Sequence, residues 1–168
     1  MPLFAGYNRT ISILLWITVS AGLAVSTFTV IEEMCLATAC RDTAIFTIFG
    51  VGMGWFGIAY FILILMSLWL RNKIYGMDWG LNALVFAGIG AELRLLWIQK
   101  YIIGSWCPLC VTICCTLLVT GILLMIEKVR TAGSIQSNRK SLPVVTAYVV
   151  ACMATGFLIA LVGVKALT

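Results

Sequence analysis

The sequence predicts an all-α integral membrane protein with five transmembrane helices. Of its 168 residues, 62% are hydrophobic and only 10% are charged, and the mean hydropathy is +1.11. A soluble domain of this size covers its surface with more charge than this chain contains. The apolar residues also form five long blocks without the alternation of strands. In lipid, such blocks satisfy their backbone groups by forming helices.

The five blocks set the predicted helix bounds. They run over about 10–31, 43–70, 79–101, 107–126 and 143–164, each near the roughly 20 apolar residues that cross a bilayer core. The first block is too long for the apolar part of a signal peptide, and no small-residue cleavage site follows it. We therefore expect it to be retained. Pro143 suits the first turn of the fifth helix. The sequence thus predicts one transmembrane domain over residues 1–168.

The basic residues predict the orientation of these helices. With five spans, one side holds Arg9, Arg71, Lys73, Lys128, Arg130, Arg139 and Lys140. By the positive-inside rule, this side is cytoplasmic and includes the N-terminus. The net charge of +5 therefore reflects membrane topology. It does not indicate nucleic-acid binding, because the basic residues are not clustered with aromatic residues on a soluble face. We expect a multi-pass protein of the cell inner membrane, in contact with lipid.

Four of the seven cysteines fall on the predicted outer side. Cys35 and Cys40 lie in the first loop, and Cys107 and Cys110 form a Cys-Pro-Leu-Cys run at the start of the fourth helix. A cysteine at a helix start lies near free N–H groups and the positive end of the helix dipole, which favours the thiolate. A second pair can exchange with the first and relay electrons, and the outer compartment is oxidising. The pattern predicts four redox-active, catalytic cysteines.

Other interpretations of the cysteines remain open at this point. The pairs are alternatively structural disulfides in a non-catalytic subunit, or four thiolates that bind copper or zinc. Histidine-based metal sites are excluded because the chain has no histidine. We expect no resident metal, since two pairs on one face favour a redox relay. Cys114, Cys115 and Cys152 are expected to pack as small apolar residues, although Cys114 faces the same way as Cys110.

The order of these segments resembles the bacterial form of the vitamin K epoxide reductase family. The resemblance rests on the loop pair, on the Trp-Cys-Pro-Leu-Cys run, and on the glycine-rich run 49–60 of the second helix. It covers the whole chain in topology but only these segments in sequence. The DsbB family of quinone-linked disulfide oxidases has the reverse order of pairs. The chain departs from the family pattern at Gly52, where a proline is frequent, and at Cys114, where a polar residue is frequent.

The resemblance implies a thiol:quinone oxidoreductase that supports disulfide-bond formation. Its quinone (ubiquinone or menaquinone) would lie in a bundle of the first four helices, with the fifth helix peripheral. Cys110 would react with quinone, and Cys107 would exchange with Cys40. Cys35 would receive electrons from an extracytoplasmic thioredoxin-like (DsbA-like) protein. No fused thioredoxin-like domain is expected, so this partner would act in trans.

Polar residues of the third helix are candidates for binding the quinone. Glu92 and Arg94 lie in its outer half, where ionisable groups are costly and usually functional or paired. They are two residues apart and do not face each other. Arg94 is a candidate to stabilise a reduced quinone or the Cys107 thiolate, with extension to the outer surface as the alternative. Gln99 is a candidate donor to a quinone oxygen, with solvation as the alternative. The candidate quinone-binding residues are Arg94, Gln99 and Cys114.

Overall fold

Five long helices make up most of the protein. The computed structural model describes residues 9–34, 46–48, 50–71, 73–74, 76–104, 106–133 and 142–166. The helices are α1 (Arg9–Met34), α2 (Met53–Leu70), α3 (Met77–Ile98), α4 (Pro108–Gly133) and α5 (Leu142–Gly163). All five are long and apolar enough to span a membrane. The predicted fold class is confirmed, and the chain is a multi-pass membrane protein with five candidate spans.

Helices α1 to α4 form a closed four-helix bundle. α1 packs against α2 and α4, and α3 completes the ring by packing against the same two helices. The centre is apolar, and each helix contributes buried side chains, among them Leu15, Phe61, Val85 and Leu117. α5 lies outside this ring and packs mainly against α3. The arrangement is the predicted bundle with one peripheral helix.

Two glycines allow α3 and α5 to pack with their backbones in close contact. A Cβ atom at Gly90 of α3 would overlap the carbonyl oxygen of Met153, and one at Gly156 of α5 would overlap that of Ala87. Lipid provides no hydrophobic force between helices, so association depends on such close packing of small residues. The peripheral helix is therefore held by shape at these two positions.

Gly156→Ala is expected to lower the free energy of unfolding by about 1–3 kcal/mol, the usual cost of overpacking. The added methyl group has no space unless α5 moves away from α3. Reversible unfolding in mixed micelles measures this change. Gly80→Ala on α3 is the matched control, because nothing lies within 4 Å of its Cβ position. Equal effects of the two substitutions would contradict this account of the α3–α5 contact.

A small antiparallel sheet lies at the end of the bundle where α4 begins. Its strands are β1 (Phe46–Ile48), β2 (Val51–Gly52) and β3 (Val164–Ala166), in the order β2-β1-β3. Thr47 pairs with Gly52 on one side and with Lys165 on the other. Gly50 has φ 81° in the turn between β1 and β2, a conformation that glycine adopts without strain.

This hairpin corrects the predicted start of the second helix. The prediction of a helix over 43–70 is wrong for 46–48 and 50–52, because α2 begins at Met53. The glycine-rich run 49–60 is accordingly divided between the hairpin and the helix. Hydropathy does not separate a short apolar strand from a helix. The residues 43–45 lie outside the described part of the chain.

The remaining helix bounds differ from the predictions by smaller amounts, except at the end of α4. α1 extends to Met34, and α4 continues to Gly133 rather than ending near 126. α3 begins at Met77, and a π-helical turn (Gln99–Ile103) follows its last α-helical residue. α5 covers the predicted 143–164 to within one residue at each end. The π-helical turn was not predicted.

A buried ion pair joins α2 to α4 at the opposite end of the bundle, called the Arg71 end below. Arg71 Nη2 donates to Glu127 Oε2 at 2.8 Å, and Arg71 Nε lies 3.3 Å from Asp78 Oδ1. Burial lowers the pKa of Arg71, and the two carboxylates act against this shift. The sequence identified Arg71 only as a marker of topology.

Candidate functional site

Cys107 and Cys110 lie where α4 begins, at what is called the Cys107 end below. Pro108 is the first residue of α4, where proline is favoured because its missing N–H would have no helical partner. Cys107 is buried with 2% of its surface exposed, whereas Cys110 is half-buried one turn further along. The Cys107 carbonyl accepts the N–H of Val111 at 3.2 Å. The local fold thus places two sulfurs at one helix terminus.

The two cysteines differ in covalent state. Cys107 is disulfide-bonded, whereas Cys110, Cys114, Cys115 and Cys152 are free thiols. The sulfur partner of Cys107 is therefore none of these four, and it lies outside the described residues. The predicted catalytic residues Cys35 and Cys40 also lie outside the described residues. Cys107 and Cys110 are thus not bonded to each other in this state.

Gln99 connects both cysteines to the end of α3. Its side chain has 2% of its surface exposed, and its Oε1 accepts the N–H of Cys107 at 3.3 Å. The same side chain shares a hydrogen bond with the Cys110 side chain. Gly104, with φ 74°, ends the π-helical turn that begins at Gln99. Such turns are frequent at functional sites. The alternative of a solvated Gln99 is wrong.

Glu92 faces the same site from deeper in the bundle. It precedes Gln99 by seven residues, about two helical turns, so both lie on one face of α3. The Glu92 carboxyl lies close enough to Cys110 and Cys114 to act on both electrostatically. Its Oε2 is buried and has no hydrogen-bond partner among the described residues. A buried carboxyl oxygen without a donor is costly in an apolar bundle.

Tyr60 approaches Glu92 from α2. Its hydroxyl donates to the carbonyl oxygen of Leu84 at 2.8 Å and occupies the space where Gly88 has no Cβ. Gly88 lies one turn before Glu92 on the same face of α3, and the Glu92 carboxyl also acts electrostatically on Tyr60. The sequence analysis noted Glu92 as a costly ionisable residue and Tyr60 only as the last residue of the glycine-rich run, and it assigned neither of them to the site.

The candidates Arg94 and Cys114 have different positions. Cys114 is buried one turn after Cys110, and the Glu92 carboxyl acts on it electrostatically, as it does on Cys110. Arg94 places its Cζ atom 4.4 Å from the centre of the Trp97 ring. No described contact joins Arg94 to Cys107 or Cys110, and no ion pair of the described residues joins it to Glu92. Trp97 is exposed, whereas the Nε atom of Arg94 is buried without a hydrogen-bond partner among the described residues.

The polar groups of the site lie at two depths. At a rise of 1.5 Å per residue, three of them lie deep in the bundle, as measured along each helix from the Cys107 end. Tyr60 is about 10 Å from the start of α2, Glu92 is about 9 Å from the end of α3, and Cys114 is about 9 Å from the start of α4. Gln99 and Cys110 lie nearer the Cys107 end. Together these five residues are called the polar strip. Polar groups in an apolar bundle are rare and usually functional.

An apolar groove of about 490 Å³ lies between α3, α4 and α5, and Phe86, Gly121 and Met153 are among its lining residues. None of the residues that line this groove belongs to the polar strip. Within the described part of the chain, no three Cys, Asp or Glu side chains converge to hold a metal ion. The chemistry available in the polar strip is therefore that of a thiol, a carboxyl group, an amide and a phenol.

Comparisons with protein-family models, with curated proteins and with solved structures find no match for this chain. Fold and site define a class of protein: a five-span helical membrane protein with a disulfide-bonded cysteine and a free thiol beside buried polar groups. What such a protein does must be inferred from the chemistry of the polar strip and tested by experiment.

Proposed function

We propose that the protein is a thiol:quinone oxidoreductase that reoxidises an extracytoplasmic thioredoxin-like protein and so supports disulfide-bond formation. One observation supports this most directly: Cys107 is in a disulfide while Cys110, one turn away, is a free thiol, and Gln99 contacts both. A purely structural disulfide has no need of a neighbouring free thiol. Thiol–disulfide exchange requires one.

The proposed cycle begins with a Cys107–Cys110 disulfide. A thiolate of the loop pair Cys35 and Cys40 attacks Cys107 Sγ, a new sulfur–sulfur bond forms there, and Cys110 leaves as a thiolate. The described state, with Cys107 bridged and Cys110 free, has the bonding expected after this step. The second loop thiol then displaces Cys107, which leaves a loop disulfide and a Cys107–Cys110 dithiol. The loop disulfide oxidises the partner protein.

The Cys107–Cys110 dithiol is reoxidised by its electron acceptor. A bound quinone takes up two electrons and two protons from the dithiol, and the Cys107–Cys110 disulfide forms again. The polar strip suits such a substrate, because a flat apolar ring with two carbonyl oxygens needs an apolar bundle and a few hydrogen-bonding groups. Gln99 and Tyr60 are the groups with an N–H or O–H to offer. Arg94 is not assigned to quinone, given its contact with Trp97.

The proposal also includes the orientation of the protein. The Cys107 end is extracytoplasmic and the Arg71 end is cytoplasmic in a cell inner membrane, according to the positive-inside rule. The oxidising compartment then contains the cysteine pairs. The quinone, ubiquinone or menaquinone, enters from lipid, and the thioredoxin-like partner acts in trans. The likeness to the vitamin K epoxide reductase family supports the same assignment.

Purified protein is expected to reduce a short-chain ubiquinone or menaquinone anaerobically when a reduced thioredoxin-like protein is the electron source. Cys35→Ser, Cys40→Ser and Cys107→Ser are expected to lose this turnover, because each breaks the chain of exchanges. Cys152→Ser on α5 is the control and is expected to retain it. Absorbance of the quinone measures the rate.

Equal rates with the wild type and the three variants would contradict the enzyme assignment. Bound copper and zinc would then be measured on the reduced protein, because a four-thiolate site requires reduced cysteines. Absence of metal in that case would favour a non-catalytic subunit with structural disulfides.

A further inference from the structure

We propose that the protein binds one phospholipid with a negatively charged headgroup at its Arg71 end. Lys128 pairs with the headgroup phosphate, and one acyl chain lies in the groove between α3, α4 and α5. This lipid site is separate from the polar strip and does not depend on the proposed function. It gives a ligand to the apolar groove and a role to a basic residue that the sequence indicated only as a marker of topology.

The groove exists because α5 packs against one helix of the bundle and not against two. α5 is in close backbone contact with α3 through Gly90 and Gly156, and its extensive contacts are with α3 and not with α4. A space of about 490 Å³ therefore opens beside α4, and the buried Phe86 and Ile89 of α3 form its floor. All the lining residues are apolar. Water has no polar partner in such a space, so a hydrocarbon chain is the occupant that suits it.

A cation and two aromatic rings lie where this groove approaches the Arg71 end. Lys128 Nζ is 3.5 Å from the centre of the Trp79 ring and 6.0 Å from that of the Tyr148 ring. The two rings pack edge to face with their centres 5.0 Å apart, and the Tyr148 hydroxyl donates to the Trp79 carbonyl oxygen at 2.7 Å. These three residues, called the Lys128 cage below, come from α4, α3 and α5. The same three helices form the groove.

The Lys128 cage and the groove share the same helix faces. On α4, Gly121, Met125 and Lys128 follow one another at intervals of four and three residues, so they lie on one face. On α3, Phe86 follows Trp79 by seven residues, or about two turns, and faces the same way. Lys128 is only one turn beyond Met125. The lysine is therefore at the end of the groove.

The groove has the length of an acyl chain in one leaflet. From Lys128 to Leu118, the lining residue of α4 nearest the Cys107 end, the helix rises by about 15 Å. The hydrocarbon core of a bilayer is about 30 Å thick, so this rise corresponds to one leaflet. A phosphate at Lys128 thus places the attached chain along the whole groove, between α4 and α5.

The charges at this end favour a negatively charged headgroup. The carboxylates of Glu127 and Asp78 lie 2.8 and 3.3 Å from Arg71. No carboxylate of the described residues is within 4 Å of Lys128 Nζ, and the exposed Asp78 acts on it only from further away. Basic pockets between transmembrane helices bind anionic headgroups, and tryptophan and tyrosine rings favour the headgroup level. A zwitterionic headgroup has its own cation beside the phosphate and gains less from a lysine.

Native mass spectrometry of the purified protein in detergent tests the headgroup. The probes are phosphatidylglycerol and phosphatidylcholine with the same two oleoyl chains. The wild type is expected to bind one phosphatidylglycerol about fivefold more tightly than phosphatidylcholine, the usual contribution of one basic residue beside anionic lipid. Lys128→Gln is expected to remove this preference, and Lys128→Arg is expected to keep it. Lys73→Gln is the matched control, because Lys73 is an exposed cation 3.8 Å from the centre of the Trp69 ring, and no residue of its helix connection lines the groove.

A second pair of variants tests the groove. Ile122 lines the groove and is exposed, so Ile122→Trp is tolerated by the fold and fills part of the space. It is expected to lower phosphatidylglycerol binding by about tenfold. Val119→Trp is the control, because Val119 is exposed on the same helix but does not line the groove. It is expected to bind the lipid as the wild type does.

Three results would overturn the proposal. The first is equal affinity of the wild type for the two lipids, which is the behaviour of ordinary surrounding lipid. The second is an equal loss of binding in Lys128→Gln and Lys73→Gln, which would reflect surface charge in general. The third is a co-purified quinone that Ile122→Trp removes, without preference for an anionic lipid, because the groove would then hold an isoprenoid chain.

Discussion

Cys110→Ser is expected to lower quinone reduction by about 10³-fold or more, in line with the loss of a residue that takes part in covalent catalysis. Cys110 is the free thiol beside the bridged Cys107, and Gln99 holds both residues. A serine hydroxyl neither exchanges with a disulfide nor donates electrons. The effect is therefore expected on the chemical step itself. Stopped-flow absorbance of the quinone, after one addition of reduced partner, measures that step.

Cys115→Ser provides the matched control for this substitution. Cys115 is on the same helix, but its side chain is exposed on the outside of the bundle. The substitution is expected to leave the rate within about twofold, because exposed substitutions away from a site have small effects. Full activity of Cys110→Ser would remove Cys110 from the relay and would leave Cys107 as the residue that reacts with the acceptor.

Cys110→Ser is also expected to accumulate a species in which Cys107 remains bridged. In this variant the Cys107 thiolate attacks the loop disulfide between Cys35 and Cys40, and one loop thiolate leaves. No Cys110 thiolate is present to displace the loop sulfur from Cys107, so the bridged species persists. Non-reducing electrophoresis after rapid alkylation measures this species. Cys107→Ser is the counterpart. It removes the sulfur that forms the disulfide, so it is expected to show none of the bridged species.

Glu127→Ala is expected to lower the free energy of unfolding by about 3–5 kcal/mol, the usual cost of removing one partner of a buried ion pair. The substitution leaves the Arg71 guanidinium buried at the Arg71 end without its 2.8 Å partner on α4. The remaining Asp78 is exposed and lies 3.3 Å from Arg71 Nε. It therefore compensates only in part. Reversible unfolding in mixed micelles measures the loss.

Two comparisons test whether the uncompensated charge is the cause. Lys73→Ala removes an exposed cation that lies 3.8 Å from the centre of the Trp69 ring, and is expected to cost at most about 1 kcal/mol. The double variant Arg71→Met, Glu127→Leu removes both charges and is expected to be more stable than Glu127→Ala alone. A double variant as unstable as Glu127→Ala would show that packing, and not charge, explains the loss.

Composition alone determined the class of fold. The excess of apolar residues excludes a soluble domain, because too few charged residues remain to cover its surface. Lipid requires the backbone to satisfy its own hydrogen bonds, so five apolar blocks predict five helices. The position of Cys107 and Cys110 at the start of a helix also follows from the local sequence, because Pro108 marks the first turn. The helical period placed Cys114 on the side of Cys110. These predictions depend on neighbours in the chain.

Predictions at the ends of the blocks were weaker. The segment 46–52 is as apolar as the helix that follows, but its strands form by pairing with each other and with β3, more than a hundred residues later in the chain. Backbone pairing over that distance leaves no local signal. The π-helical turn at Gln99 was missed for a similar reason, since its residues are ordinary helix formers.

Only the tertiary structure brought the polar strip together. Tyr60, Glu92 and Gln99 come from α2 and α3, and their relation to Cys110 on α4 depends on the rotation and depth of each helix in the bundle. The tertiary structure also pairs Arg71 with Glu127, whereas the contact of Arg94 with Trp97 is local, between residues three apart on α3. Hydropathy predicts that a segment crosses the membrane. Packing between helices determines which face of each helix contacts which neighbouring helix, because all the faces are apolar and only shape and a few polar contacts distinguish them.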